Sequence, residues 1–280
     1  MSQDILVAGN IEVAFGGGRR LFGSARPEVK VLRGVSVRIG RGETVGIVGE
    51  SGSGKTTLGR ALLRLVDVAT GRIVFDGADI THISETEMRP LRRRMQLIFQ
   101  DPMASLNPRH TIRRIVTEPM RFHGVAKDSA DAETRVLEIF ERFSLAVACL
   151  DRYPHELSGG QRQRIGIARV ALLAPDFVLA DEIVSGLDVS TQAQALNLLK
   201  GLSRDLGLSM AFISHDLSVI RAVCDRVYVL NAGEVVEEGA CEALFAAPKH
   251  EYTRALIDAI PLPRVDPNWL GRAAATEILA

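Results

Sequence analysis

The chain has 280 residues, of which 46% are hydrophobic and 24% are charged, as is typical of globular proteins. Its 34 basic and 34 acidic residues cancel, so the overall charge gives no reason to expect a nucleic-acid or anionic-lipid partner. No apolar run approaches the ~18 residues that span a bilayer, and the N-terminus lacks the apolar stretch of a secretory signal. We therefore expect a protein that acts from the water side of any membrane it serves.

The first part of the chain predicts strands that lead into a glycine-rich loop. Alternating patterns in "ILVAGNIEVAF" (5–15) and "LRGVSVRIGRGETVGIVG" (32–49) indicate strands. Between them, "GGGRRLFGSARPE" (16–28) favours a solvated insertion. The second pattern runs directly into a glycine loop and a helical stretch, "KTTLGRALLRLV" (55–66).

The rest of the chain predicts a helical segment followed by alternating strands and helices. Residues 85–160 are rich in helical patterns, among them "SETEMRPLRRRMQ", "TIRRIVTEPMRF" and "DAETRVLEIFERFSL". The apolar runs "DFVLAD" and "LSMAFISHD" predict central parallel strands, separated by a helix that stops at Gly207. "RVYVLNAGEVVEEG" reads as a hairpin. The whole pattern predicts a parallel α/β core with a helical insertion and a short C-terminal extension.

Three cysteines lie at Cys149, Cys224 and Cys241. Their spacing fits neither a disulfide framework nor a zinc site. We expect reduced structural thiols, as in a cytosolic protein.

A phosphate-binding loop is predicted at "GESGSGKT", Gly49 to Thr56, which matches G-x-x-x-x-G-K-[ST]. It follows a predicted strand and opens a predicted helix, which is the context that this motif requires. Glycines let successive N–H groups converge on phosphate oxygens, and the helix N-terminus adds positive charge. Lys55 would neutralise the β and γ phosphates, and the Thr56 hydroxyl would hold Mg²⁺.

Two adjacent acids end the predicted strand in "FVLADE" (177–182). Side chains of adjacent strand residues point to opposite faces, so the two acids should have different roles. Asp181 would hold the Mg²⁺ shell, and Glu182 would orient or deprotonate an attacking water. The alternative is a pair of exposed acids in a turn.

A second glycine turn, "LSGGQ" (157–161), also opens a predicted helix. Together with the P-loop, "VLADE" and His215 in "ISHD", it resembles the nucleotide-binding subunit of ABC transporters over about residues 4–262. The resemblance implies an α/β fold of the P-loop NTPase (RecA-like) type. Such a fold has a parallel sheet core, an N-terminal antiparallel β subdomain and a helical insertion subdomain. It implies an ATPase domain at 1–245, with the helical subdomain at about 100–165, and a C-terminal extension at 246–280.

In that family two ATPase domains pack head to tail, and each ATP lies between the P-loop of one domain and the LSGGQ turn of the other. The resemblance therefore implies catalytic roles for Glu182, His215, Gln100 and Lys55, and Mg²⁺ contacts from Thr56, Gln100 and Asp181. The implied ATP contacts are Phe15, Gly49, Glu50, Ser51, Gly52, Ser53, Gly54, Lys55, Thr56, Thr57, Ser158, Gly159, Gly160, Gln161 and Asp188. Phe15 is the candidate for stacking on adenine, and a core phenylalanine at a strand end is the alternative.

Two positions depart from the family pattern. Ile183 stands where proline commonly follows the catalytic glutamate, and Gly186 stands where alanine is common. Proline fixes φ, and glycine adds backbone freedom, so both changes are expected to loosen this turn. We still expect hydrolysis, because no catalytic side chain is missing.

"IFQDPMASLNPR" (98–109) and "HEYTRALIDAIPLP" (250–263) resemble the oligopeptide/dipeptide importer group, which also includes nickel and glutathione importers. Glu251 replaces the usual proline in the second motif. The resemblance implies a second ATPase subunit, either identical or related, and two permeases. An external solute-binding protein would act only indirectly, and no nucleic acid is implied. The location implied is peripheral, on the cytoplasmic face of the inner or plasma membrane. Residues 242–280 contain no cysteine, so no iron–sulfur cluster is expected.

Two other functions stay open at this stage. One is a soluble ABC ATPase of DNA repair or translation, although the chain has one P-loop and no sustained heptads. The other is a regulatory module that binds ATP without hydrolysing it, motivated by Ile183 and Gly186. The arginine run Arg89 to Arg94 lacks interleaved aromatics, so it favours a solvated helix face or contacts to the glutamine loop over nucleic-acid binding.

Overall fold

The computed structural model describes residues 4–16, 28–100, 105–186 and 188–260. An antiparallel sheet has the strand order β2-β1-β4-β5. Its strands are β1 Asp4–Phe15, β2 Val29–Gly40, β4 Thr70–Phe75 and β5 Ala78–Asp79. Most of the predicted insertion at 16–28 lies outside the described residues.

A second sheet forms the centre of the molecule, in the order β10-β9-β3-β8-β7-β6. Its strands are β3 Thr44–Val48, β6 Met95–Ile98, β7 Phe177–Asp181, β8 Ser209–Ile213, β9 Arg226–Asn231 and β10 Glu234–Ala240. The strands pair in parallel except β10, which is antiparallel to β9. β3, β7 and β8 are buried at every residue, which explains their predominantly apolar sequences.

The predicted hairpin is confirmed by β9 and β10. Its two loop residues, Ala232 and Gly233, both have positive φ, at 46° and 84°. Two such residues make the turn whose twist matches that of paired strands.

The helices are α1 Lys55–Leu62, α2 Glu85–Arg94, α3 Ile112–Phe122, α4 Ser129–Arg142, α5 Gly159–Ala171, α6 Val189–Leu206, α7 Leu217–Val223, α8 Cys241–Ala246 and α9 Glu251–Asp258. α3, α4 and α5 lie between β6 and β7 in the chain, where helices were predicted. α6 ends at Gly207, whose φ of 62° confirms the predicted glycine stop. The predicted helix over 84–96 is too long, because Met95 and Gln96 belong to β6. The predicted limits of the domains stay predictions.

The central sheet separates two hydrophobic cores. The helical-side core includes Val116, Val136, Ile165, Val178, Leu199 and Met210. The P-loop-side core includes Ile11, Leu58, Phe75, Leu179 and Ala211. Neighbouring residues of one strand therefore serve different cores, as the alternation of side chains along a strand requires.

Arg92, Arg93 and Arg94 do not form a solvated helix face, whereas Arg89 at the start of the run is exposed. The described contacts of those three arginines are not to the glutamine loop. Arg92 donates to the carbonyl oxygens of Leu63 and Arg64, at 2.6 and 3.1 Å. Arg93 donates to the carbonyl of Leu173 at 3.2 Å. Arg94 pairs with Asp176 and Asp76. These guanidinium groups connect α2 to neighbouring loops, so their positive charges make hydrogen bonds and ion pairs within the protein.

The three cysteines are free and buried, in agreement with structural thiols. Among the residues that the structure describes, no helix is both long and apolar enough to cross a bilayer.

Candidate nucleotide-binding site

The P-loop connects β3 to α1, and its glycines are required by the backbone. At Gly49, φ is 151°, and a Cβ atom would lie 2.1 Å from the carbonyl oxygen of Leu230. The first hydrogen bond of α1 runs from Leu58 N to Gly54 O at 2.8 Å, so the N–H groups at the helix start lack helical partners. A helix N-terminus with free N–H groups is a site for anions such as phosphate.

Lys55 lies beneath this loop with 6% of its surface exposed. Its Nζ donates to the carbonyl oxygens of Gly49 and Glu50, both at 2.7 Å. Burial lowers the pKa of Lys55, and the charges of Glu182 and Asp181 oppose that shift. The Lys55 ammonium is thus held beside the helix N-terminus by hydrogen bonds to two carbonyl oxygens. A bound phosphate would compete with these carbonyls for the ammonium.

Two of the residues predicted to hold Mg²⁺, Thr56 and Asp181, lie next to each other. The Thr56 hydroxyl lies 3.3 Å from Asp181 Oδ1, at the junction of α1 and β7. Burial raises the pKa of Asp181, the Thr56 hydrogen bond lowers it, and the charge of Glu182 raises it further. Hydroxyl and carboxylate oxygens are the hard donors that Mg²⁺ prefers, so this pair fits the ion. Bound there with a nucleotide, Mg²⁺ would add positive charge against the phosphate oxygens.

One further observation fits a phosphate ligand. The Ser53 hydroxyl is buried without a hydrogen-bond partner. A buried, unpaired hydroxyl is costly, and a phosphate oxygen in the loop would satisfy it.

Two other predicted catalytic residues, Gln100 and His215, lie next to the carboxylate of Glu182. Gln100 Nε2 donates to its Oε2 at 3.1 Å, and His215 Nδ1 lies 3.6 Å from its Oε1. Asp181 contacts Thr56 instead, so the two adjacent acids do have different neighbours. The contact of Gln100 in this structure is Glu182, whereas the sequence also implied a contact to Mg²⁺.

The backbone of Glu182 is unusual, with a φ of 47° in the left-handed region. Its N–H donates to the carbonyl of Ile213 at 2.9 Å, which ties the turn to the end of β8. A non-glycine residue in this region is strained by about 1–2 kcal/mol and is commonly found at active sites.

The LSGGQ turn is a well-formed helix cap on α5. Ser158 N donates to Gln161 Oε1 at 2.9 Å, and Gln161 N donates to Ser158 Oγ at 3.2 Å. At Gly160, a Cβ atom would lie 2.8 Å from Thr191 Cγ2 on α6, so a side chain here would require Thr191 to move. Within the described chain, the contacts of this turn are internal or to neighbouring helices. They do not include the P-loop.

The sequence did not reveal the role of Gln163, one turn further along α5. Its Nε2 donates to the carbonyl of Ile183 at 2.7 Å, and the side chain is 2% exposed. This bond joins the helix of the LSGGQ turn to the residue that follows Glu182. Ile183 itself is 1% exposed and packs in the helical-side core. The turn is therefore held at this position by burial and by an amide donor.

The next residues of this turn approach α6. Asp188 caps α6 by accepting hydrogen bonds from Thr191 N at 3.0 Å and from its hydroxyl at 2.7 Å. The Thr191 backbone N–H is the main cause that lowers the pKa of Asp188. Gly186 has a φ of 77°, a conformation in which an alanine would be strained.

Phe15 is not a core residue, because 47% of its surface is exposed. It ends β1 opposite Val29, which is 58% exposed. Further along β2, the carbonyl oxygen of Val31 lies 3.2 Å from a Cβ placed on Gly54 of the P-loop. Phe15 therefore lies exposed at the end of a strand that pairs with β2, and its stacking on adenine stays a prediction.

Comparison with known proteins identifies relatives. The ABC transporter family model matches residues 32–185. A putative peptide import ATP-binding protein of Brucella ovis is 55% identical over 238 residues, which cover 85% of this chain and 75% of the relative. The oligopeptide transport ATP-binding protein AmiF of Streptococcus pneumoniae is 46% identical, over 94% of this chain and 83% of its own.

A solved structure has the same fold. It is described as a dimeric, post-hydrolysis state of the ATP-binding cassette MJ0796 bound to ADP and Pi. It is 28% identical to this chain, with a TM-score of 0.74, and the match covers 84% of this chain and 98% of that one. The expected P-loop NTPase fold is therefore confirmed.

Proposed function

Since the chain belongs to the ABC transporter family and is an ATPase of that family, we propose that it powers the uptake of peptides through partner permeases. Its ATP would be bound by the P-loop from Gly49 to Thr57 and hydrolysed with Glu182 as the base. The peptide class is supported by relatives described as peptide and oligopeptide import proteins. The peripheral position on the cytoplasmic face of the membrane belongs to the same proposal.

The single observation that carries the catalytic proposal is the convergence on Glu182. One carboxylate lies next to an amide donor and an imidazole, at 3.1 and 3.6 Å, and follows the strand that ends in Asp181. A carboxylate at this position can accept the proton of an attacking water. Gln100 donates to one oxygen and His215 lies near the other, so the carboxylate is oriented before the substrate arrives. Lys55 and the N-terminus of α1 stabilise the negative charge that develops on the phosphate oxygens.

The LSGGQ turn explains why the active form needs a second ATPase subunit. Its glycines and the N-terminus of α5 form a second anion site, and its contacts within the chain do not include the P-loop. We propose that Ser158, Gly159 and Gly160 meet the nucleotide held by the P-loop of the partner. The dimeric cassette to which this chain is similar supports that arrangement.

Replacing Glu182 with Gln tests the catalytic proposal. The amide keeps the size of the side chain but accepts a proton poorly, so turnover should fall by about 10²-fold or more. The variant should still bind ATP, and in the presence of ATP its dimer should accumulate, which light scattering would detect. Glu242→Gln is the matched control, because Glu242 lies on α8 with 79% of its side chain exposed. Turnover of Glu182→Gln within about tenfold of wild type would show that another group is the base.

A groove next to the glutamine loop is the candidate site for the permease. It has a volume of about 530 Å³ and is lined by residues that include Gln96, Ser105, His110, Phe122 and Arg169. Phe122 ends α3 with 62% of its surface exposed, so an apolar ring is available at this groove. A groove lined by both polar and apolar side chains suits a short helix of a permease, inserted between α3 and the strand that leads to Gln100.

The substrate class is tested with the complete transporter in vesicles. Oligopeptides, glutathione and Ni²⁺ are offered separately with the matching receptor, and ATP-driven uptake is measured. Uptake of oligopeptides is expected, and Phe122→Ser should reduce that uptake more than it reduces ATPase activity of the isolated chain. Uptake of Ni²⁺ or glutathione alone would reject the peptide proposal. The alternative of a DNA-repair or translation ATPase is disfavoured, because the named relatives are import proteins.

A further inference from the structure

The C-terminal extension reaches the P-loop through one side chain. The hydroxyl of Tyr252, on α9, accepts a hydrogen bond from the backbone N–H of Glu50 at 2.9 Å. The two residues are 202 positions apart in the chain. Consequently a helix outside the central sheet contacts the loop that would hold the nucleotide phosphates.

The start of α9 is itself anchored to the central sheet. Glu237, on β10, accepts hydrogen bonds from Lys249 N at 2.8 Å and from His250 N at 2.9 Å. His250 caps the helix, with Nδ1 accepting from Tyr252 N at 3.1 Å. The backbone that carries Tyr252 is therefore anchored at the start of the helix.

The position of α9 is also fixed by packing and charge. The rings and aliphatic side chains of Tyr252, Leu256 and Ile257 pack against the helical-side core. Glu251 is the first residue of α9. An acid there is favourable next to the helix dipole.

The peptide group that Tyr252 contacts lies next to the catalytic lysine. The carbonyl of Glu50 accepts from Lys55 Nζ at 2.7 Å and from Ser53 N at 3.2 Å. The N–H of Glu50 is therefore held by α9, while its carbonyl holds Lys55 and the loop. Because this N–H is engaged by Tyr252, it is not free to bind a phosphate, unlike the N–H groups at the start of α1.

We propose that Tyr252 is a positioning residue of the ATPase reaction, through which the C-terminal extension sets the conformation of the P-loop. The inference rests on the proposed nucleotide site. The hydroxyl holds Glu50 so that the carbonyl oxygens of Gly49 and Glu50 keep Lys55 beneath the loop. Without this hydrogen bond, the P-loop samples more conformations before ATP binds, and ATP binds only to the fraction of molecules whose loop has the binding conformation.

The test uses the full chain and MgATP, with Tyr252→Phe as the variant. It removes one oxygen atom and keeps the ring in its packing. Loss of one neutral hydrogen bond, about 1 kcal/mol, should raise KM for ATP about fivefold. The value of kcat should stay within about twofold, because no group that touches the reacting atoms is removed.

Tyr228→Phe is the matched control. The Tyr228 hydroxyl accepts from the backbone N–H of Arg38 at 3.0 Å and from the Arg226 guanidinium at 2.6 Å, and neither donor belongs to the P-loop. This variant should lower Tm and leave KM for ATP unchanged. If Tyr252→Phe behaves in the same way, with a lower Tm and an unchanged KM, its role is structural and the inference is wrong.

Lys55→Ala separates this inference from the proposed nucleotide site. A large loss of ATP affinity in Lys55→Ala, with KM unchanged in Tyr252→Phe, would overturn the role of Tyr252 alone. An unchanged affinity in Lys55→Ala would reject the nucleotide site, and the role of Tyr252 with it. A raised KM in both variants is the expected result.

Discussion

Replacing Gln163 with Leu tests the link between the LSGGQ helix and the catalytic turn. Leucine retains most of the volume of the side chain but removes the amide that donates to Ile183 O at 2.7 Å. Gln163 is 2% exposed, so water cannot easily replace the lost donor. A buried carbonyl deprived of its donor costs about 1–3 kcal/mol.

That cost converts into a thermal shift and a loss of turnover. In a chain of this size each kcal/mol corresponds to about 2–4 °C in Tm, so we expect a fall of about 2–12 °C. Ile183 follows Glu182, whose φ of 47° requires the surrounding contacts to hold it. If about 1.4 kcal/mol of the cost is added to the activation free energy of hydrolysis, kcat falls about tenfold.

The assay combines thermal unfolding with steady-state ATP hydrolysis. Gln194→Leu is the control, because Gln194 is exposed on α6 and its substitution should change stability by no more than about 0.5 kcal/mol. A Gln163→Leu protein with the Tm and kcat of the control would refute the reasoning. The hydrogen bond would then contribute neither stability nor orientation of Glu182.

Two further predictions concern the LSGGQ turn and the cation site. Gly160→Ala should lower Tm, since its Cβ would lie 2.8 Å from Thr191 Cγ2. Adding Thr191→Ser, which removes that methyl group, should restore Tm, and a double variant as unstable as Gly160→Ala would contradict the contact. Burial raises the pKa of Asp181 in the folded state above its ordinary value in the unfolded state. The folded state therefore binds this proton more tightly, so the free energy of unfolding falls as pH rises from the ordinary pKa to the raised one. Asp181→Asn, measured without nucleotide, should therefore raise Tm at neutral pH, and the gain in Tm should shrink as pH falls through that window. A gain in Tm that does not depend on pH would contradict the raised pKa of Asp181.

Local patterns predicted much of the fold and part of the candidate site. The P-loop context, the hairpin of β9 and β10, and the stop of α6 at Gly207 each depend on a few adjacent residues, and the structure contains all three. The different neighbours of Asp181 and Glu182 also followed from strand alternation. In these cases the chemistry and the backbone conformation are specified by the same short segment.

Contacts between distant segments were not predictable in this way. Tyr252 and Gln163 look like ordinary helix residues, and nothing in their spacing indicates Glu50 or Ile183 as partners. The left-handed φ of Glu182 arises from its junction with β8 rather than from its residue type. The arginines of α2 were misjudged for the same reason, because their acceptors are carbonyls and carboxylates of segments that come close only in the folded chain.

The division of the apolar interior by the central sheet bears on how such chains can diversify. Residues on one side, such as Val136, share no core with residues on the other, such as Leu58. Substitutions in separate clusters that share no partners usually have additive effects on stability. A chimera that exchanges α3 and α4 with those of a relative would thus leave the packing under the P-loop undisturbed. The surface beside Gln100, where we propose that a permease docks, could then vary in such a chimera without a change in the P-loop-side core.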